Sequence, residues 1–135
     1  MIMNIEELID NFEFLDGWED KYRYIIELGE KLPVLASEFH TDEWKVKGCQ
    51  SQVWLVPSKN IDGTMNFSGD SDAMIVKGLI AIVLMIYNNK TAEDIKNTNI
   101  ENIFSVLGLQ EHLSPSRRNG LEAMVLKIKH YANIL

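Results

Sequence analysis

Cys49 is the only cysteine in the 135-residue chain, and the stretch around it, Lys47-Gly48-Cys49-Gln50-Ser51-Gln52-Val53-Trp54-Leu55, bounds the chemistry it can do. A thiol attacks as its thiolate, and a free cysteine with a pKa near about 8.5 is scarcely ionised at neutral pH, so a reactive Cys49 needs positive charge nearby. Lys45, Lys47 and Arg117 are the candidates for that charge. A cysteine hydrolase would also need a histidine base, and no spacing ties His40, His112 or His130 to Cys49; each reads as a surface residue. Thiol exchange needs less machinery. A thiolate that attacks the outer sulfur of a persulfide displaces the donor thiolate and becomes the persulfide itself, which demands approach and in-line geometry rather than a dedicated acid and base. The competing reading is an inert cysteine acting as a small buried hydrophobe in a binding or regulatory domain, and the residues alone leave both open.

The elements beside Cys49 are those of a small sheet. Trp44 and Val46 alternate with Lys45 and Lys47, which predicts a short strand leading into Gly48-Cys49. Glycine permits backbone angles that other residues resist, so Cys49 is expected in a turn. Val53 to Pro57 and Thr64 to Ser68 read as two further strands joined through Lys59-Asn60-Ile61-Asp62-Gly63, because Asp-Gly between β-like runs is a hairpin signal. The expectation is a three-stranded antiparallel meander with Cys49 at its first turn. Trp54 reads as a core or sheet-face aromatic before it reads as a ligand-stacking platform.

Helices account for the rest. Asn4 caps a first one with Glu7 reaching back, and Ile5, Leu8, Ile9, Phe12 and Leu15 follow at helical spacing. Asp16 opens a second with Trp18, Tyr22, Ile25, Ile26 and Leu28 on its apolar face, ended by Gly29 and Leu32-Pro33. Gly69-Asp70-Ser71-Asp72 closes the sheet and offers capping oxygens to a helix from Ala73 to about Asn88, apolar on nearly every side and therefore central. Thr91 and Asn99 cap two connecting helices, and Gly108 is placed to end the second.

The last helix starts at Ser114-Pro115, with an inward stripe of Leu121, Met124, Val125, Ile128, Ala132 and Leu135. Arg117 falls in phase with Leu121 and Met124, whereas Arg118 aligns with Glu122 on the opposite face. A guanidinium directed at the core needs a partner, so Arg117 is either a structural ion pair, with Asp70 or Asp72, or a functional cation. Gly120 in a helix interior costs roughly 1 kcal/mol against alanine and points to a close backbone approach at the same end.

Composition sets limits. The length suits one domain spanning residues 1–135. A net charge of −7 excludes a basic stripe for nucleic acid, and the longest apolar run, Leu79 to Tyr87, is too short for a bilayer. One cysteine forms no internal disulfide and no cysteine cluster, and no signal pattern precedes the first helix, so a reducing cytoplasm is expected.

GCQSQVWL, at Gly48 to Leu55, resembles the signature of the SufE family of sulfur acceptors. GDSDAMIVKGLIA (Gly69 to Ala81) and HLSPSRRNGLEAM (His112 to Met124) are similar to that family's other blocks in the same order, and the likeness runs from YIIELGEKLP (Tyr24 to Pro33) to the last helix. The resemblance implies an α+β fold, IscU-like, with a small antiparallel sheet flanked by helices. It implies a Cys49 that takes sulfane sulfur from a SufS-like cysteine desulfurase, stimulates that enzyme, and passes the sulfur to a SufBCD-like iron–sulfur scaffold complex. Arg117 matches the family's arginine near the acceptor, and Asp72 falls in its GDSD block. The chain itself would hold no cofactor or metal, pyridoxal phosphate belonging to the desulfurase, and a homodimer is compatible with this role. A sibling, CsdE, serves a different desulfurase; GCQSQVW is nearer to SufE.

Overall fold

Asn4 accepts the Glu7 N–H on its side-chain oxygen at 2.9 Å, and the first helix, α1 (Ile5–Phe14), follows at once, with Leu8 and Phe12 fully inward. The computed structural model describes residues 4–135. After α1 come α2 (Trp18–Glu30), a short 3-10 turn (Ser37–Phe39), strands β1 (Val53–Lys59) and β2 (Met65–Ser71), and helices α3 (Met74–Tyr87), α4 (Ala92–Asn97), α5 (Ile100–Leu107), α6 (Leu109–His112) and α7 (Pro115–Ile134). The class is α+β, as the pattern predicts.

The centre is α3. Val76, Leu79, Ile80, Ile82, Val83, Leu84, Ile86 and Tyr87 are all buried, because α2 packs on one side, β2 on another, and α7 and α1 complete the cover. Gly29 does not stop α2, which continues to Glu30. Its role is contact: a Cβ there would stand 2.6 Å from the Gly78 nitrogen, and a Cβ on Gly78 would stand 2.1 Å from the Ile25 carbonyl oxygen. Two glycines let the α2 and α3 backbones touch, which a local stop signal and a contact glycine do not distinguish in sequence.

The sheet is shorter than the expected three strands. β1 and β2 pair antiparallel from Val53↔Ser71 to Lys59↔Met65, around a turn in which Gly63 takes φ 90° and Asp62 accepts from Thr64. Pro57 fits inside β1 because its partner Phe67 turns its N–H away, to Asn88 Oδ1 at 2.8 Å. Trp44 to Val46 contributes only the Lys45↔Trp54 bridge, with Val46 N–H to Val53 O at 2.8 Å and Leu55 N–H to Trp44 O at 3.0 Å. Turns cut it off on both sides: the N–H groups of Trp44 and Lys45 bond back to Thr41 and Asp42, and Gly48 turns at φ 96°.

The caps at Thr91, Asn99 and Ser114 each accept the expected N–H, and Gly108 ends α5 at φ 74°. Among the described residues no side chain caps α3; Ser71 Oγ accepts from the Ala73 N–H. In α7 the buried stripe is Leu121, Met124, Val125, Ile128, Tyr131 and Ala132, and Leu135 lies half-exposed beyond the last turn. Tyr131 joins the stripe because its hydroxyl donates to the Leu55 carbonyl at 3.3 Å.

Candidate functional site

The turn from the Lys45 bridge into β1 carries Cys49, and it is fixed at three points. On one side is the Val46–Val53 hydrogen bond. On the other, the Asp72 carboxylate accepts the Gln52 N–H at 3.0 Å, while the Asp72 N–H donates to the Gln52 carbonyl at 3.3 Å. In the middle the Cys49 thiol donates to the Gly120 carbonyl at 3.5 Å. Gly48 and Cys49 thus lie against α7, where a Cβ on Gly48 would meet Ala123 and a Cβ on Gly120 would meet Cys49.

Cys49 is half-buried there, and that burial pushes its thiol pKa up. The resting sulfur is therefore held as a neutral S–H, which is the form the Gly120 carbonyl can bind. A pocket of about 360 Å³ opens beside it. Buried Val76, Leu79, Leu121 and Met124 form its apolar wall, and Gln50, Ser51, Ser114, Ser116 and Arg117 its polar one.

The three candidate cations separate. Arg117 lines the Cys49 pocket, whereas Lys45 and Lys47 line a different cleft of about 520 Å³ with Lys127 and His130. Arg118 lines a third, of about 820 Å³, between α4–α5 and α7; the two arginines reach different clefts, but both are exposed, so Arg117 is not directed at the core as its phase predicts. The expected ion pair of Arg117 is not made. Its side chain is exposed, and among the described residues no carboxylate lies within ion-pair distance. Asp70 is taken by His40 Nε2 at 2.8 Å and Lys77 Nζ at 3.6 Å. Burial pushes the Asp70 carboxyl up, but the bonds from His40 and the Ser71 N–H, with the Lys77 charge, more than reverse it and leave it below the usual range.

Asp72 does not line the pocket; it grips Gln52 at the end of the turn. Sequence alone did not pair those two residues, nor did it bring Ser114, Ser116 and Val76 to the thiol, since each contact crosses between elements far apart in the chain. His40 is no loose surface residue: it is half-buried edge-on to Trp54, ring centroids 4.7 Å apart. His112 stacks on Trp18 at 3.9 Å, and His130 is exposed. Among the described residues no histidine bonds Cys49, and no three His, Cys, Asp or Glu side chains gather as a metal-binding set.

Residues 6–132 match the SufE family, described as an Fe–S metabolism associated domain. The chain belongs to the SufE family. An uncharacterised SufE-like protein of Rhizobium etli is 52% identical over 134 residues, covering 97% of this chain and 90% of that protein. Another, of Rhizobium meliloti, is 48% identical over 132 residues, 96% and 94% of the two chains. The solution structure of a hypothetical protein from Thermus thermophilus shares the fold at a TM-score of 0.75 and 18% identity, over 96% of this chain and 93% of that one. SufE membership associates the chain with iron–sulfur metabolism and points to sulfur transfer. The match takes in all three sequence blocks and with them Cys49, Asp72, Arg117 and Gly120. No helix among the described residues is long and apolar enough to cross a membrane.

Proposed function

We propose that this SufE-family chain is a sulfur carrier, in which Cys49 accepts sulfane sulfur from a SufS-type cysteine desulfurase, holds it as a persulfide, and delivers it to iron–sulfur assembly on a SufBCD-type complex in the cytoplasm. The supporting observation is the chain's one thiol on a turn pinned at both ends, docked on α7 beside a pocket that Arg117 lines. The docked thiol is the resting form. Burial keeps it protonated, so acceptance begins when the partner draws the turn out and Cys49 gives its proton to solvent. The Cys49 thiolate then attacks the outer sulfur of the donor persulfide. The donor's S–S bond breaks, its cysteine leaves as a thiolate, a new Sγ–S bond forms on Cys49, and there is no net oxidation. Consumption of the donor persulfide is how the carrier would stimulate the desulfurase. The exposed Arg117 would meet the thiolate as it leaves the pocket and steady it there.

The test is intact mass after incubation with a cysteine desulfurase and cysteine: the chain gains about 32 Da per sulfur, and Cys49→Ser gains none. A serine variant that acquires the adduct and still speeds desulfurase turnover would falsify the mechanism. Thiol burial favours a second reading, a binding or regulatory domain with a structural cysteine, under which Cys49→Ser keeps its partner function. Offering SufS-type and CsdE-serving desulfurases in parallel distinguishes a SufE-like from a CsdE-like acceptor.

A further inference from the structure

Gly120 lies inside α7, with buried Leu121 next to it, at a position where alanine would favour the helix. The resting structure does not require glycine there. A Cβ on residue 120 would have Cys49 Sγ as its nearest neighbour at 3.4 Å, then Cys49 Cβ at 3.8 Å and Cα at 4.0 Å. These are ordinary van der Waals contacts, so the empty protein could carry alanine with Cys49 still docked. The three nearest atoms to that site among the described residues all belong to Cys49, in contrast with Gly29 and Gly78, where an added Cβ would run into main chain at under 3 Å. A residue that weakens the helix, is not needed by the empty state, and faces one reactive atom is explained by another state of that atom.

We infer that Gly120 is a positioning residue for the loaded acceptor: its missing side chain leaves the volume that a second sulfur on Cys49 needs if the turn is to redock on α7. The inference rests on the carrier reading, since it supposes a loaded state. A sulfur bonded to Sγ stands about 2.05 Å from it. A methyl already in contact with Sγ obstructs that atom, whereas glycine leaves it a place in the pocket. The Gly120 carbonyl adds a distinction between states. The empty thiol gives it an S–H, but on the loaded residue Sγ carries no hydrogen and any proton or charge sits one atom further out; the pocket beside Sγ offers that atom the polar groups of Arg117, Ser114 and Ser116. Redocking would shelter the persulfide from stray reductant during transit, and Gly120→Ala would remove that shelter.

The experiment loads wild type and Gly120→Ala with inorganic polysulfide, whose terminal sulfur the Cys49 thiolate attacks, leaving a polysulfide one atom shorter. Dithiothreitol is then added; it reduces the Sγ–S bond, returning the thiol, releasing sulfide and becoming its cyclic disulfide, and the mass adduct is followed in time. The expected result is that empty Gly120→Ala melts at or above wild type, while its adduct is lost about tenfold faster, the ratio expected when one overpacked methyl biases redocking. Equal adduct lifetimes overturn the inference. So does an empty Gly120→Ala that melts well below wild type or fails to fold, since the resting packing would then be what requires glycine. Gly120→Val, with more bulk, should lose its adduct faster still; a lifetime matching wild type in either variant overturns it as well. Polysulfide loading needs no desulfurase, so a chain that never accepts sulfur from such an enzyme counts against the carrier reading, separately from this comparison.

Discussion

Removing the Asp72 carboxylate should free the Cys49 turn without unfolding the protein. Its Oδ1 accepts the Gln52 N–H at 3.0 Å from an exposed side chain. A hydrogen bond to an ionised acceptor contributes roughly 1.5–3 kcal/mol in general, and competition from water at an exposed site brings this to about 1 kcal/mol. In a local opening equilibrium that is about a fivefold change. Asp72→Ala should therefore raise the open fraction of residues 47–52 about fivefold, and Asp72→Asn, which keeps an acceptor oxygen without the charge, by less. The main-chain bond from the Asp72 N–H to the Gln52 carbonyl survives in both and limits the effect. Alkylation of Cys49 by a small reagent reports the opening, with hydrogen exchange over 47–52 as a second probe and the melting temperature as a control. An unchanged labelling rate would mean that Asp72 does not hold the turn. Loss of protection in core amides together with the turn would mean that it holds the whole fold instead.

Burial raises the docked thiol's pKa, so folded Cys49 should titrate above an unstructured peptide with the same residues. The sign follows: docking stability is fully present below the ordinary thiol pKa and is lost as pH rises through the raised one, so opening grows with pH, and a labelling midpoint at or below the peptide's refutes it. Arg117→Ala and Arg118→Ala should both leave melting within about 0.5 kcal/mol of wild type, as neither makes an ion pair among the described residues, but only Arg117→Ala should slow sulfur acceptance. Equal slowing at both would break the assignment. Gly78→Ala places a Cβ 2.1 Å from the Ile25 carbonyl oxygen, so α2 and α3 must part; about 3 kcal/mol or more, and a fall in Tm on the order of 10 °C, are expected in thermal melts. A shift of only a degree or two would show that the helices yield freely.

What could be read from the chain was local. The Asn4, Thr91, Asn99 and Ser114 caps, the left-handed Gly108 and the separation of Arg117 and Arg118 into different clefts depend on residues within a turn or two of one another, where helical period carries the information. The missing third strand shows the limit: Trp44 and Val46 alternate correctly, but turns at Thr41–Asp42 and Gly48 leave no room for a ladder. Gly29 shows another, since a helix stop and a contact glycine have the same spelling until the partner, Gly78, is known. At the site, Cys49 and Gly120 were legible one by one, but Asp72 with Gln52 and His40 with Asp70 were not, because nothing local records a pairing made across the fold.

The two anchors of the acceptor turn also set a tether. Once Cys49 leaves the Gly120 carbonyl, residues 47–51 span the gap between the Val46–Val53 bond and the Asp72–Gln52 pair, with Cys49 in the middle. At no more than about 3.6 Å per residue, a loop whose ends stay together can lift its midpoint by only about 10 Å. If the chain is the sulfur carrier proposed above, its donor would have to present sulfur near its own surface, on a projecting segment or at the mouth of a shallow cleft. A donor buried deeper than this reach could be served only by prising Gln52 from Asp72, which makes that pair a gauge of how far into its partner the protein can fish.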